Sequence, residues 1–503
     1  MKQKIKSILE TIFKENVEEK NKWFIIITTI FYSIIMITVC LFHEAWDDES
    51  QAWLISRDLS IIEIFKQMKY EGHSCLWHYI LIPFAKTGLP FDAIKILGIL
   101  PAIITAILIL KKAPFNRFTK VLILFSSIFL YYLPAIVRPY SLMPLLITLL
   151  CIIYKDRNKK PILYGLLLAF LSNMHITIIG FTGILTLMFF IEEIIINWKK
   201  SSREQKRKAF IGIIISGFGI LFIASLAVWG SLNSIAKVPA QLNFSIIFRN
   251  LKNCWKDVVG YILGSNFIMY KDTLALVILG VIIIQSILTS RKQGIIFAIS
   301  VLWFWFVISA IWPYILNQRA CMLFLFLFFY AWCYRYDRNC CKFKIVSNAT
   351  TFLLCFICII SLKNTVFVIA DEINRPYANS KQMANYIETN IENGSFIVSA
   401  TPTNTSPVIA YLDGKNYVFY DIYNHKNISF VTWDSYPSLQ IDEIKLSENL
   451  ESKKAYLLFG VFSYQHNLLP EHLFSEKYVF DLIYKSEQSI YRNYFLYEFK
   501  EKT

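Results

Sequence analysis

At 503 residues the chain is 55% hydrophobic and 16% aromatic with 17% charged residues, too apolar for a soluble multidomain protein of that length. Its net charge of +15 raises nucleic acid as a partner, but the lysines and arginines sit in short runs between apolar segments, such as Lys199 to Lys208 and Arg335 to Lys344. Runs of that kind mark the cytoplasmic ends of membrane spans and not a basic surface with aromatic stacking platforms, so the charge is a topology signal and excludes nucleic acid.

In chain order, Met1 to Lys22 is a polar, basic cytoplasmic segment. The apolar run after it is about 20 residues long with no small-residue cleavage site, so it reads as a retained first span and not a signal peptide. Runs that suit a bilayer crossing follow from Trp23 to Phe42, Phe91 to Leu110, Arg117 to Leu133, Ser141 to Tyr154, Pro161 to Ile178 and Ile179 to Trp198. Further runs are Ala209 to Trp229, Asp272 to Thr289, Gly294 to Trp312, Arg319 to Tyr334 and Ile345 to Leu362. At roughly 17 to 25 residues per crossing, these make about eleven spans. With the N-terminus inside, the basic loops all fall on one side, provided that the short piece Leu76 to Lys86 stays interfacial or re-entrant.

The loop from His43 to Pro90 is then extracytoplasmic. Within it, Ser50 to Arg57 and Ile61 to Lys69 carry apolar residues at helical spacing, and Ser60 with Glu63 forms a capping-box pattern. Two short amphipathic helices on the outer leaflet are expected. Gly230 to Lys271 is a second outer loop. After Leu362 the composition becomes that of a soluble domain, residues 363–503. A helix from Ser380 to near Gly394 and strands at Phe396 to Ala400, Tyr417 to Tyr420, Ile428 to Trp433 and Ala455 to Val461 predict a small extracytoplasmic α/β fold. The ten cysteines, none after Cys358, read as free thiols, the adjacent Cys340 and Cys341 included.

The span interiors hold almost no ionisable residues, which weighs against an ion-coupled transporter. The charged groups gather instead at the outer boundary: His43, Glu44, Asp47, Asp48, Glu49, Glu71, His73, His78, Arg138, His175 and Arg319. Carboxylates after the first span and arginines at the outer ends of later ones suit glycosyl transfer from a polyprenyl phosphate. The phosphate is already a good leaving group, so one carboxylate is needed as general base for the acceptor hydroxyl and guanidinium forks hold the phosphate.

The stretch His43-Glu44-Ala45-Trp46-Asp47-Asp48-Glu49, with Gln51-Ala52-Trp53-Leu54, Arg57-Asp58-Leu59-Ser60, Tyr70-Glu71-Gly72-His73 and Trp77, resembles the membrane glycosyltransferases of the GT-C class. The nearest likeness is to the family-39-like members, similar to protein O-mannosyltransferases and aminoarabinose transferases. Arg138-Pro139-Tyr140-Ser141 also matches the bacterial members, and the likeness covers about the first 200 residues, the remainder agreeing in layout. It implies an α-helical polytopic GT-C-like membrane domain over residues 23–362 whose catalytic loop is residues 43–90. Asp48 is then the catalytic base, and Glu49 supports it or helps to bind a divalent cation. Glu71 and His73 occupy the place of a His-Pro-Pro segment, with Ser74 and Cys75 replacing the prolines. Arg138 and Arg319 contact the donor phosphate, and Tyr140 hydrogen-bonds the same group. Glu49, Glu71 and His73 are the candidate ligands should Mg or Mn take part.

Each residue also has a plainer role open to it. Asp47, Asp48 and Glu49 suit a solvated helix start, His73 and His175 suit structural histidines, and Arg138 and Arg319 suit snorkelling anchors. Trp46, Trp53 and Trp77 read as interface-belt aromatics. The expected function is an inverting transferase of the plasma membrane, moving a sugar from an undecaprenyl-type phosphate to an extracytoplasmic lipid, glycan or protein. The alternatives are a flippase for a lipid-linked intermediate, which calls for inverted repeats and broken helices, and a scaffold whose soluble domain binds a partner.

Overall fold

The computed structural model describes residues 19–234, 280–311, 317–336, 344–412, 417–421, 426–433, 455–474 and 478–501, apart from a few single positions within those ranges. The N-terminal segment up to residue 18, most of the second outer loop, half of the span expected at Asp272 to Thr289 and the Cys340–Cys341 pair lie outside them. Among the described residues, six helical stretches are long and apolar enough to cross a membrane: Lys22–Phe42, Phe91–Lys112, Ile176–Ile196, Arg203–Asn233, Arg291–Ser309 and Thr350–Asn374. The chain has the architecture of a helical membrane protein followed by a C-terminal sheet.

Helix α1 (Lys22–Phe42) opens on Asn21, whose side chain accepts the Phe24 N–H at 3.1 Å. The loop after it folds into α2 (Asp47–Asp58), α3 (Ile61–Glu71) and α4 (Leu76–Ala85). The expected capping box is present on α3: Ser60 Oγ accepts the Glu63 N–H at 3.4 Å and Glu63 accepts the Ser60 N–H at 2.8 Å. Gly72 ends α3 with φ 60°, a left-handed cap that costs glycine no Cβ clash. Ile61, Ile62 and Phe65 stay exposed on α3, which leaves it an amphipathic helix.

The bundle continues with α5 (Ile96–Lys112), α6 (Arg117–Phe125), α7 (Met143–Tyr154), α8 (Pro161–Ser172), α9 (Ile179–Phe190), α10 (Arg203–Asn233), α11 (Arg291–Phe306), α12 (Asn317–Cys333) and α13 (Lys344–Asn374). Two expected boundaries move. The run Arg117 to Leu133 is not one straight helix: α6 stops before Ser126, and a π-helical turn follows at Ile128–Tyr132. The Ser127 N–H and hydroxyl both pair with Ser361 Oγ, at 2.8 and 2.7 Å, so side-chain oxygen replaces a backbone partner at the break. Conversely, α13 runs beyond Leu362 to Asn374, because Asn364 and Thr365 find partners on the bundle, Tyr132 Oη at 2.8 Å and the Phe125 carbonyl at 3.0 Å. Every described cysteine is buried and free.

The C-terminal region begins with α14 (Ser380–Asn390). Asn379, and not Ser380, occupies its cap position, and the Ser380 hydroxyl instead donates to Glu44. A seven-stranded sheet follows, in spatial order β3-β2-β1-β4-β7-β6-β5. Its strands are β1 (Phe396–Ser399), β2 (Val418–Asp421), β3 (Lys426–Asn427), β4 (Ala455–Phe462), β5 (His472–Phe474), β6 (Tyr478–Lys485) and β7 (Arg492–Glu501). Strands β2, β1 and β4 are parallel, with α15 (Pro402–Tyr411) as the crossover after β1, and β4-β7-β6-β5 are antiparallel. Ile428 to Trp433 is irregular and not the strand expected there. Ile428 still donates its N–H to Phe419 of β2 at 2.9 Å, but at Val431 and Thr432 the backbone bonds to side chains of α2 and α3 instead of to a strand.

The sheet region does not stand apart. Trp53, Leu54, Trp77, Leu81 and Val137 share one buried apolar cluster with Met383, Ile387, Val408, Ile409 and Leu496. The tryptophans expected at a lipid interface are therefore core residues: Trp46, Trp53 and Trp77 are all buried. The indoles pack in buried apolar clusters here, where the place of these tryptophans at the expected outer boundary had suggested a lipid-facing belt.

Candidate functional site

Three acids open α2, but their environments differ. Asp47 is buried and makes an ion pair with Arg492 at the start of β7. Burial pushes its carboxyl up to about 7, and the Arg492 guanidinium only partly offsets this. Glu49 is also buried, accepting the Val137 N–H at 2.7 Å and the Trp46 N–H at 3.1 Å. It pins the segment before Arg138 to the start of α2. Asp48, between them, is 44% exposed and faces a cavity, where its Oδ2 lies 2.7 Å from Arg138 Nη1.

That cavity, of about 280 Å³, is lined by Asp48, Glu71, His73, Arg138, Tyr140 and Arg319 together with Tyr70, Trp77, His175 and Trp433. All the candidate residues named from the sequence meet there except Glu49. Arg138 and Arg319 approach Tyr140 from two sides: the Arg138 guanidinium carbon is 5.4 Å from the ring centre, and Arg319 Nε is 3.5 Å from Tyr140 Oη. Burial works against the Arg138 charge, but Asp48, Tyr140 and Glu49 together hold its pKa above the usual value. The wall thus carries two guanidinium groups and a phenol, the donor set for a phosphate.

Elsewhere in the lining, Glu71 Oε2 lies 3.6 Å from His73 Nε2 and Glu71 Oε1 accepts from Gln51 Nε2 at 3.0 Å. Burial opposes the Glu71 charge, yet His73 and the Gln51 hydrogen bond hold its carboxyl below the usual range. The His73 and His78 rings stack at 5.4 Å, and burial together with His73 drives His78 down to about 3, so it is neutral. Glu71 and His73 do not form a metal centre with Glu49, whose oxygens are committed to backbone N–H groups away from the cavity. Among the described residues, no group of three or more His, Cys, Asp or Glu side chains is disposed to hold a metal ion. The three candidate ligands therefore do not converge on one site for a divalent cation.

Beneath the first loop, His43 Nδ1 is 2.8 Å from Glu372 Oε1 near the end of α13, its Nε2 is 3.7 Å from Glu49 Oε2, and Tyr131 donates to Glu372. Burial would discharge the imidazole, but the two carboxylates raise its pKa to about 10 and keep it cationic. His43 is thus a buried cation between two acids and supports the Glu49 cap from below. Sequence reasoning did not single out Glu372, Gln51, Arg492 or Trp433. Only Gln51 lay within the motif stretch; the other three are more than 300 residues from it.

A second cavity of about 480 Å³, almost wholly apolar, is lined by Cys75, Leu76, Tyr79, Leu166, Phe170, Ile214, Phe218 and Phe222. The two linings meet at the hydrogen-bonded pair Ser74–Asn173, 2.8 Å, since Ser74 and Met174 line the polar cavity and Cys75 and Asn173 the apolar one. An amphiphile with an anionic head and an apolar tail is the ligand that two such chambers suit. Scans of the chain against protein-family models and against curated proteins find no match.

Proposed function

We propose that the chain is an inverting glycosyltransferase of the GT-C type, which takes a sugar from a polyprenyl-phosphate carrier and gives it to an acceptor hydroxyl outside the cytoplasm. In this reading the chain crosses the membrane about eleven times, at roughly 17 to 25 residues per crossing, with its N-terminus in the cytoplasm and its sheet region outside. The observation that carries the reading is the Asp48–Arg138 pair at 2.7 Å in a polar cavity that adjoins an apolar one. Such a pair is closed against catalysis until an anion arrives. A donor phosphate competes for Arg138 and Arg319, and the Asp48 carboxylate is released to face the acceptor hydroxyl in the same event.

The chemistry then follows as a single displacement. Asp48 takes the acceptor proton, the acceptor oxygen forms a bond to the anomeric carbon, and the carbon–oxygen bond to the phosphate breaks on the opposite face. The polyprenyl phosphate departs with both electrons, its charge held by the two guanidinium groups and its tail in the apolar cavity. Nothing need protonate the leaving group, which accounts for a single exposed carboxylate beside the two arginines.

The test is Asp48→Asn in a strain deleted for the wild-type copy, with surface glycans read by mass spectrometry. General-base loss should lower transfer by about 10²- to 10⁴-fold, with unchanged membrane insertion. Glycans at wild-type levels in that strain would remove Asp48 from the chemistry.

A further inference from the structure

Among the described residues, Trp433 is the one residue from the sheet region that lines the polar cavity, and it is the one non-glycine residue with positive φ, at 57°. A bulky side chain in the left-handed region is unfavourable and persists only where its surroundings impose it. Here they do. The Gln51 amide brackets Val431 from both sides, donating to its carbonyl at 2.7 Å and accepting its N–H at 3.0 Å, while Gln67 Nε2 donates to the Thr432 carbonyl at 3.3 Å. Lys426 Nζ adds a bond to Thr432 Oγ1 at 2.9 Å. Gln51 also holds Glu71, so one amide ties the irregular segment to the acidic wall of the cavity.

We propose that Trp433 is a substrate-binding residue: the sheet region delivers its indole as the platform on which the donor's pyranose ring lies. This rests on the glycosyl-transfer reading above. A sugar held by its phosphate at Arg138 and Arg319 presents hydroxyl edges, which Asp48 and Glu71 can accept, and an apolar C–H face. The electron-rich indole suits that face, and it becomes more attractive as positive charge develops at the anomeric carbon. Trp433 thereby gives the sheet region a part in sugar selection that its own sequence motifs do not reveal.

The experiment uses the full-length protein in detergent and two probes, undecaprenyl phosphate and its diester undecaprenyl phosphoglucose, each compared between variant and wild type so that their difference in phosphate charge cancels. Trp433→Gly removes the indole while accepting the local φ without strain, and Trp433→Phe keeps an aromatic face. The glycine variant should bind the glucose-bearing probe about tenfold more weakly, an aromatic contact's worth, and the bare phosphate as the wild type does. Phenylalanine should restore most of the loss. Equal weakening of both probes, or of neither, overturns the platform. Wild-type protein that binds neither probe overturns the polyprenyl-phosphate reading, and the platform with it.

Discussion

Adjacent carboxylates at the start of α2 receive different tasks from their surroundings alone. Asp48 meets a cation across an open cavity, whereas Asp47 meets one in a closed interior, where desolvation outweighs attraction. A pH dependence follows with a definite sign. Below its ordinary value of 3.8, Asp47 is protonated in folded and unfolded chains alike; between 3.8 and about 7 the folded chain keeps a proton that the unfolded chain has lost. The stability this residue contributes is therefore full at low pH, declines as pH rises through that window and is level above it. Asp47→Asn carries no such titration. Thermal melts of the detergent-solubilised proteins across a pH series should show the wild type losing ground to the variant from 3.8 to about 7 and running parallel beyond. Parallel curves throughout would mean that Asp47 is solvated after all. Removing the other partner is harsher: Arg492→Met leaves a buried carboxylate without a counter-charge and should cost about 3–5 kcal/mol.

Helices in this bundle approach closely where side chains are smallest. A Cβ on Gly212 of α10 would meet the Pro161 carbonyl of α8, and one on Gly165 of α8 would meet the Gly212 backbone. Contacts between small residues take over in a bilayer, where burial of apolar surface no longer drives helices together. Gly212→Leu should force α8 and α10 apart at an overpacking cost of about 1–3 kcal/mol. It should also distort the apolar cavity, which Leu166 and Ile214 line from those two helices. A lowered melting temperature with weaker undecaprenyl phosphate binding is expected; unchanged values for both would show that the helices part without consequence. Elements with a local signal were legible in the sequence: six of the bilayer-length runs, the Ser60–Glu63 box, and β1, β2 and β4. The meeting of Asp48 with Arg138 was legible as well, since the two lie at corresponding ends of apolar runs. What stayed hidden depends on partners far along the chain. The Ser361 hydroxyl breaks the expected Arg117 to Leu133 span, Asn364 and Thr365 prolong α13 past a compositional boundary, and bonds to Gln51 and Gln67 hold Val431 and Thr432 out of a strand.

At the scale of the molecule, composition divides the chain after Leu362, but the core does not. The first loop contributes Trp53, Leu54 and Trp77 to a cluster completed by Val408, Ile409 and Leu496, and α15 packs against α2. Polar ties run across the same boundary: Arg492 to Asp47, Ser380 to Glu44, and Ser406 Oγ to Ser50 Oγ at 2.8 Å. Fully burying one large apolar side chain is worth about 1.5–3 kcal/mol, so several such residues exceed what a detachable docking contact would need. The scaffold alternative requires a sheet region that works when severed. The shared core predicts the reverse, that the loop bearing Asp48 is held in shape by the sheet region. Residues 1–374 expressed alone should aggregate on size-exclusion chromatography, with Asp47 unpaired and Trp53 and Trp77 laid open. Full-length Asp48→Asn, whose change lies on the cavity wall, should elute as a single species at the wild-type position. A truncated chain that is monodisperse and melts at the wild-type temperature would show two independent halves, and would return the sheet region to the role of a separable binding module.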